Sequence, residues 1–366
     1  MWTLTKNKHW EQLKKFSWVN DMHGVPQSPV YHAEGDVAVH TQMVLTALEQ
    51  MEVFKALDEQ EREVVWTAAL MHDVEKRSTT FTDEQGQVVS PGHAKKGAVT
   101  TRRILYRDFA TPFKIREQIT GLVRYHGLPL WVFEKPDPVQ AITKASLEVN
   151  TRLLAILATA DVLGRICGDA GDLLYKIDLF KALAEEHDCW DQPKSFSSDV
   201  SKFQYFRKDD RQPDFEAFDD TQTSVIIMSG IAGSGKDFYI AKNYPSLPVV
   251  SLDDMRRKAK VSYGDAKGNG RIIQAAKEQA KQYLRSKQAF VWNATNITLQ
   301  MREQLVDLFE PYKPRIKIVY IETGYAKLVA QNKNRVFALP QTAIEKMIDR
   351  LEVPKPWEAM EVEYIV

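Results

Sequence analysis

The 366-residue sequence has only two cysteines, Cys167 and Cys189. They form neither a disulfide framework nor the paired thiols of a zinc finger, so a reducing cytoplasm is the expected setting. Net charge is also missing: 49 Lys and Arg balance 49 Asp and Glu. That argues against a protein that coats duplex nucleic acid by bulk electrostatics, and leaves a local basic groove open. No window approaches the roughly 20 apolar residues a membrane helix needs. The opening Met1-Trp2-Thr3-Leu4-Thr5-Lys6 does not read as a secretory signal. Repeats and low-complexity tracts are absent too. What remains is an ordinary globular composition, 44% hydrophobic and 27% charged, long enough for two separate cores.

Apolar residues recur at helical spacing from about 37 to 180. Val39, Met43, Val44, Ala47 and Leu48 mark one face, and Val64, Val65, Ala68, Ala69 and Met71 another. Leu153 to Leu163 is a third, strongly apolar helix, and Gly and Pro cluster between these stretches. The pattern predicts an all-helical domain over 1–189. Residues 190–222 are polar and turn-rich, and read as an extended linker with aromatic anchors at Phe203, Tyr205 and Phe206. Over 223–366, short apolar strands alternate with helices: 225–228, 249–251, 289–292 and 316–320 read as strands, 272–284 and 299–309 as helices. That alternation predicts an α/β domain with a parallel sheet.

Only eight histidines are present, and four belong to an ordered series, His40, His72-Asp73, His93, His126, then Asp161, with a fifth, His32, just ahead of it. Imidazole and carboxylate donors on packed helices suit a pair of borderline divalent metals. Asp73 is the natural bridge. His40, His72 and Asp161 would complete one metal, and His93 and His126 would help hold the other. Two close metals bind a phosphate oxygen and lower the pKa of a shared water. Lys76, one turn beyond Asp73, could meet a phosphate as a point charge. One isolated histidine would read as a core hydrogen-bonding residue; the ordered set does not.

This half resembles the HD phosphohydrolase superfamily, whose pattern is H…HD…H…H…D. Residues 25–41, including Tyr31-His32-Ala33-Glu34-Gly35-Asp36-Val37 and His40-Thr41, are similar to the HD domain of bacterial CCA-adding enzymes. The resemblance spans about 20–185 and implies activity on 2′,3′-cyclic phosphates and 2′- or 3′-phosphomonoesters at RNA ends. Imidazole-rich donors are expected to prefer metals such as Mn2+, Co2+ or Ni2+ over Mg2+. His32 falls in the matching segment as either a substrate contact or a cap residue. Glu75 departs from the small residue common there, which predicts a narrowed pocket or altered phosphate binding.

A second pattern follows the strand at 225–228: Gly230-Ile231-Ala232-Gly233-Ser234-Gly235-Lys236. A strand, a glycine-rich loop and a helix N-terminus aim several N–H groups at one point and add positive potential, which suits phosphate. Gly233 and Gly235 let the backbone curl, and Lys236 reaches the β- and γ-phosphates of ATP or another NTP with Mg2+. Asp237 stands in place of the usual magnesium-binding hydroxyl, and a carboxylate can serve hydrated magnesium. Ser251-Leu252-Asp253-Asp254-Met255-Arg256 follows the second strand, at the sheet edge where open α/β folds bind ligands. One of Asp253 and Asp254 is expected to cap a helix and the other to work on a hydroxyl.

These segments, with Asn293-Ala294-Thr295-Asn296 and Asn332-Lys333-Asn334-Arg335, resemble the kinase domain of phage and bacterial polynucleotide 5′-kinases. The resemblance implies Asp253 as general base, Arg256 on the acceptor's phosphate and Arg335 as a lid arginine. Asn293 stands where some relatives carry an acid. As a whole, the chain resembles the bacterial HD-Pnk end-healing enzymes. Their expected partners are RNA or DNA ends bearing a 5′-hydroxyl, a 2′,3′-cyclic phosphate or a 2′- or 3′-phosphate, with a ligase to use the healed ends. Two rival readings stay open: a small-molecule kinase fused to a nucleotide phosphohydrolase, and a nucleotide-sensing regulator with a hydrolase output.

Overall fold

The periodic segments of the first half fold as helices in a computed structural model, which describes every residue except Asp209, Asp210, Tyr263, Arg335 and Val336. The chain divides into two units, Met1–Ser195 and Phe196–Val366. The longer helices of the first are α1 Val37–Gln50, α2 Glu59–Met71, α3 His93–Arg107, α4 Phe113–Tyr125, α5 Pro138–Ser146, α6 Thr151–Leu163 and α7 Ala170–Glu186. Side-chain caps fix several starts. Asp36 accepts from Val39 N at 2.8 Å for α1, and Asn150 accepts from Leu153 N at 3.1 Å for α6. Helix α6 is apolar nearly all round and is accordingly buried, packed against α1, α2 and α7.

Gly164, just past α6, sets how closely that helix meets α1. A Cβ there would lie 2.6 Å from the backbone nitrogen of Val44, so only glycine permits the approach. The domain is helical as expected, with one small extended element between its helices. A short antiparallel hairpin pairs Phe81–Thr82 with Val88–Val89, and Asp83 shapes its turn by accepting from Gln85 N and Gln87 N at 3.0 and 2.8 Å.

The second unit opens with α8 Asp199–Arg207, which corrects the reading of 190–222 as an extended linker. Ser198 caps this helix, and Val200 and Phe203 bury into the second unit's core. The sequence read as linker because its three buried apolar residues, Val200, Phe203 and Tyr205, are too few to reveal a helical period. Beyond it come β1 Thr223–Ser229, α9 Lys236–Asn243, β2 Val249–Ser251, α10 Leu252–Lys258, α11 Ala266–Arg285, β3 Phe290–Asn293, α12 Leu299–Phe309, β4 Pro314–Ile321, α13 Tyr325–Lys333, α14 Gln341–Ile348 and β5 Glu361–Ile365.

The strands form one parallel sheet in the order β2-β3-β1-β4-β5. Alternation along β1 splits the core. Val225 and Ile227 pack with α8, α11 and α12 on one face; Ile226 and Met228 pack with Ile240 of α9 on the other. Burial on both faces is what a parallel sheet covered by helices requires. A buried ion pair ties α12 to the C-terminal segment, with Arg302 Nε and Nη2 donating to Glu358 at 2.5 and 2.9 Å. Among the described residues, no helix is long and apolar enough to cross a membrane.

Candidate metal centre and nucleotide site

The metal-ligand candidates come from helix ends. His40 lies in the first turn of α1, and His93 begins α3. His72 and His126 cap the C-termini of α2 and α4, Asp73 follows His72, and Asp161 lies in the last turn of α6. All six converge as two triads, His40-His72-Asp161 and Asp73-His93-His126. Asp73 faces both. Its Oδ2 lies 3.3 Å from His72 Nε2 and 3.8 Å from His40 Nε2, while its Oδ1 lies 3.4 Å from His93 Nε2 and 3.9 Å from His126 Nε2. His40 Nε2 is also 3.0 Å from Asp161 Oδ1.

Each imidazole has one nitrogen committed elsewhere. The Nδ1 atoms of His72, His93 and His126 contact the carbonyls of Ala69, Ser90 and Val123 at 2.7, 2.7 and 2.9 Å. His40 Nδ1 meets Glu34 Oε1 at 2.9 Å. This fixes the rings and turns every Nε2 inward. Among the described residues, the buried His40 Nε2, His72 Nε2 and Asp73 Oδ1 have no well-directed hydrogen bond, and the polar atoms nearest the two ring nitrogens, Asp161 Oδ1 and Asp73 Oδ2, are themselves candidate ligands. Buried polar atoms are rarely left so, and here they are the very donors that two divalent ions would use. The residues therefore fit a pair of metals.

Electrostatics keep most donors ready. Burial, reinforced by the His72 and His93 rings, pushes His126 down to about 3, so its ring is neutral at ordinary pH. Burial opposes charge on Asp73 and Asp161. The Lys76 ammonium beside Asp73 and the Arg165 guanidinium beside Asp161 outweigh it, with the nearby rings adding, and hold both carboxyls well below the usual range. Burial also disfavours a charged His72, but Asp73 and Asp161 overcome it and raise that ring, which must lose a proton to bind metal.

Two clefts open onto this centre, of about 510 and 620 Å³, and His32, Lys76, His93, Trp131 and Arg165 line both. Lys76 Nζ sits 2.8 Å from Asp73 Oδ2 and 2.7 Å from Gln27 Oε1. The structure places His32 in the clefts rather than at a cap, since Asp36 caps α1. Burial, with Lys76, His40 and Arg165, lowers His32 to about 4. Glu75 lines neither cleft: it turns toward Thr100 and Lys96, at 2.8 and 3.3 Å, so the expected narrowing of the pocket is not seen. Sequence reasoning missed Arg165 and Glu34. Arg165 pairs with Asp161 four residues earlier, a spacing that the sequence offered. Glu34 sits between His32 Nδ1, at 2.8 Å, and His40 Nδ1. Hydrogen bonds from His40, the Ile166 backbone and His32 overcome its burial and lower it to about 2.

In the second unit the glycine loop joins β1 to α9. Gly230, Gly233 and Gly235 have φ of 145°, 89° and 104°. At Gly230 a Cβ would meet the Ile321 carbonyl at 2.3 Å, so this glycine serves a close approach as well as its turn. Lys236 is buried, its Nζ donating to the Gly230 and Ile231 carbonyls at 2.8 and 2.9 Å. Ser234 and Gly235 line a cleft of about 780 Å³ with Tyr239, Lys242 and Lys327. Asp237 Oδ1 accepts from Asn293 Nδ2 at 2.7 Å.

Asp253 and Arg256 stand together at the edge of β2, Oδ1 to Nη1 at 2.6 Å, and Arg256 Nε donates to Asn269 Oδ1 at 2.7 Å. The expected aspartate cap is corrected: Ser251 Oγ caps α10 by accepting from Asp254 N at 3.2 Å. Asp254 pairs instead with Arg257. Arg335 lies outside the described residues. Asn332 is buried and exchanges bonds with Leu339 O and Leu339 N at 2.8 and 3.1 Å.

Residues 37–166 match the family model of the HD domain, and residues 225–354 match that of an AAA domain. With the donor triads and the glycine loop, these matches make the protein an HD-type hydrolase domain followed by a P-loop, ATPase-like domain. Over 108 residues the chain is 32% identical to the Multifunctional CCA protein of Halorhodospira halophila; the match covers 30% of this chain and only 23% of the relative. A solved structure described as a "putative kinase" from Chloroflexus aurantiacus aligns over 40% of this chain and 86% of its own, at 16% identity and a TM-score of 0.33.

Proposed function

We propose that this protein heals broken nucleic-acid ends: its first domain removes phosphate from 2′,3′-cyclic and 2′- or 3′-phosphorylated ends, and its second adds phosphate to a 5′-hydroxyl. The observation that carries the reading is Asp73, facing two separate donor sets beside a cationic cleft, in one chain with a phosphate-cradling loop. Bound between the triads, two divalent metals would polarise a phosphate oxygen and lower the pKa of a shared water. His40, His72 and Asp161 would hold one, His93 and His126 the other, with Asp73 between them. Lys76, Arg165 and His32 line the clefts where the phosphate's remaining oxygens would lie. Imidazole-rich donors favour manganese, cobalt or nickel over magnesium.

A polymer end, rather than a free phosphate, suits the rest of the cleft. Arg124, Lys135 and Lys144 extend its positive charge beyond the donors, and half-exposed Trp131 offers a stacking face, with Lys176 Nζ 4.1 Å over its ring. The likeness to a CCA protein agrees with an RNA end. In the second domain Lys236 exchanges its loop carbonyls for the donor's phosphates. Asp253 takes the proton of the attacking hydroxyl, Arg256 holds the acceptor's phosphate, and Arg335 steadies charge on the transferred group.

The test is an oligonucleotide with a 5′-hydroxyl and a 2′,3′-cyclic phosphate, incubated with and without ATP. Metal-dependent loss of the cyclic phosphate without ATP, and 5′-phosphorylation only with ATP, is the expected outcome. Phosphorylation of sugars or nucleosides with no transfer to the oligonucleotide would contradict it, as would nucleotide binding with no transfer at all.

A further inference from the structure

P-loop nucleoside triphosphatases hold magnesium with a hydroxyl after the loop lysine and a carboxylate from a nearby strand. This chain departs at both positions. Asp237, in the first turn of α9, follows Lys236; Asn293 ends β3, beside the P-loop strand β1. The two side chains still meet, Asn293 Nδ2 donating to Asp237 Oδ1 at 2.7 Å. The usual pairing of partners is therefore kept while their chemistry is exchanged: the carboxylate sits on the helix and the neutral group on the strand.

Resting on the nucleotide reading above, we infer that Asp237 is the carboxylate that serves magnesium in this domain, and that Asn293 is a positioning residue that orients it. The charge count supports the exchange. A hydroxyl with a carboxylate and a carboxylate with an amide both carry one negative charge, so the metal meets the same net charge either way. The donor type supports it too. Asn293 offers N–H to one oxygen of Asp237 and leaves the other outside that bond, whereas an aspartate at 293 would set two carboxylates against each other and favour protonation of one. Neither partner is accidental in its setting. Asn293 is nearly buried, at 9% exposed, and its strand neighbour Ser251 pairs in register with it and caps α10, the helix that carries Asp253. The helix N-terminus beneath Asp237 also favours an anionic side chain there.

The test is a double-mutant cycle read by calorimetric binding of a non-hydrolysable ATP analogue to the full-length protein, with and without magnesium. Asp237→Ser and Asn293→Asp should each cut the magnesium-induced tightening about tenfold or more, while binding without magnesium persists. The double variant Asp237→Ser/Asn293→Asp restores the common arrangement and should regain most of that tightening. Asn293→Ala should lose part of it, with Asp237 still present but no longer oriented. Magnesium dependence unchanged in Asp237→Ser, or a double variant no better than the worse single, would overturn the inference. Persistent magnesium-dependent binding without transfer to a 5′-hydroxyl end would overturn only the end-healing reading. A wild-type protein that binds no nucleotide would overturn both.

Discussion

Around Asp73, buried ring nitrogens and a carboxylate oxygen point inward with no well-directed hydrogen bond among the described residues; at Lys236, the charged nitrogen is already satisfied by two carbonyls of its own loop. The first site is preorganised, with Lys76 and Arg165 compensating its carboxylates while the inward ring nitrogens are left for a ligand. The second is self-contained and must exchange internal hydrogen bonds for those of its ligand. The difference follows from chemistry. A metal centre requires fixed donors from several helices, whereas a phosphate loop supplies its donors from one local turn.

The largest effect should come from breaking the preorganised site. Asp73→Ala removes the carboxylate that faces both triads, and phosphoesterase activity should fall on the order of a thousandfold or more. Metal content, measured on the purified variant, should fall with it, and kinase activity should stay. Full hydrolysis by the variant, or by chelated wild type, would contradict the metal reading. Arg302→Ala tests the independence of the two units. It strands the buried Glu358 carboxylate and should destabilise the second unit by about 3–5 kcal/mol. Denaturation followed by probes in each unit should leave the transition of residues 1–195 in place; a shift in both would show that they unfold together.

At the P-loop site the acceptor base gives the next effect. Asp253→Asn should cost about a hundredfold to ten-thousandfold in transfer with ATP affinity near normal. Asp254→Asn should cost little, since Asp254 pairs outward with Arg257 and Ser251 supplies the cap. The reverse pattern in the rates would mean that the two roles are exchanged.

The sequence made the chemistry more legible than the architecture. His40, His72, Asp73, His93, His126 and Asp161 could be picked out because rare residue types recur in order on strongly apolar helices, and the structure brings all six together. Gly230 to Lys236 was legible because a phosphate loop is local. Glu34 and Arg165 were not singled out, because they act through another side chain and a lone acid or arginine has no period. β5 was hidden for a related reason. Its Glu361-Val362-Glu363 run looks polar, and only the neighbouring strand reveals Arg315 and Lys317 paired with those carboxylates. Helix α8 was hidden among turn-forming residues, with its purpose visible only in the core it enters.

Smaller effects sharpen the contrast. Glu34→Gln should weaken metal binding by about tenfold to a hundredfold, because it loosens His40 without removing a ligand; manganese titration would show this, and unchanged affinity would assign Glu34 to packing alone. Arg124→Ala with Lys144→Ala should raise KM for a phosphorylated oligonucleotide several-fold and flatten its salt dependence, while hydrolysis of a small aryl phosphate stays the same. Equal losses on both substrates would place these residues at the metal centre instead of along the strand.

The most direct measurement mixes two broken proteins. An RNA with a 5′-hydroxyl and a 2′,3′-cyclic phosphate is given to Asp73→Ala, to Lys236→Ala, or to both variants together with ATP and manganese. Two independent sites predict that Asp73→Ala phosphorylates the 5′ end only, that Lys236→Ala clears the cyclic phosphate only, and that the mixture heals both ends. Loss of both activities in either single variant, or a mixture that heals no more than one end, would contradict that claim.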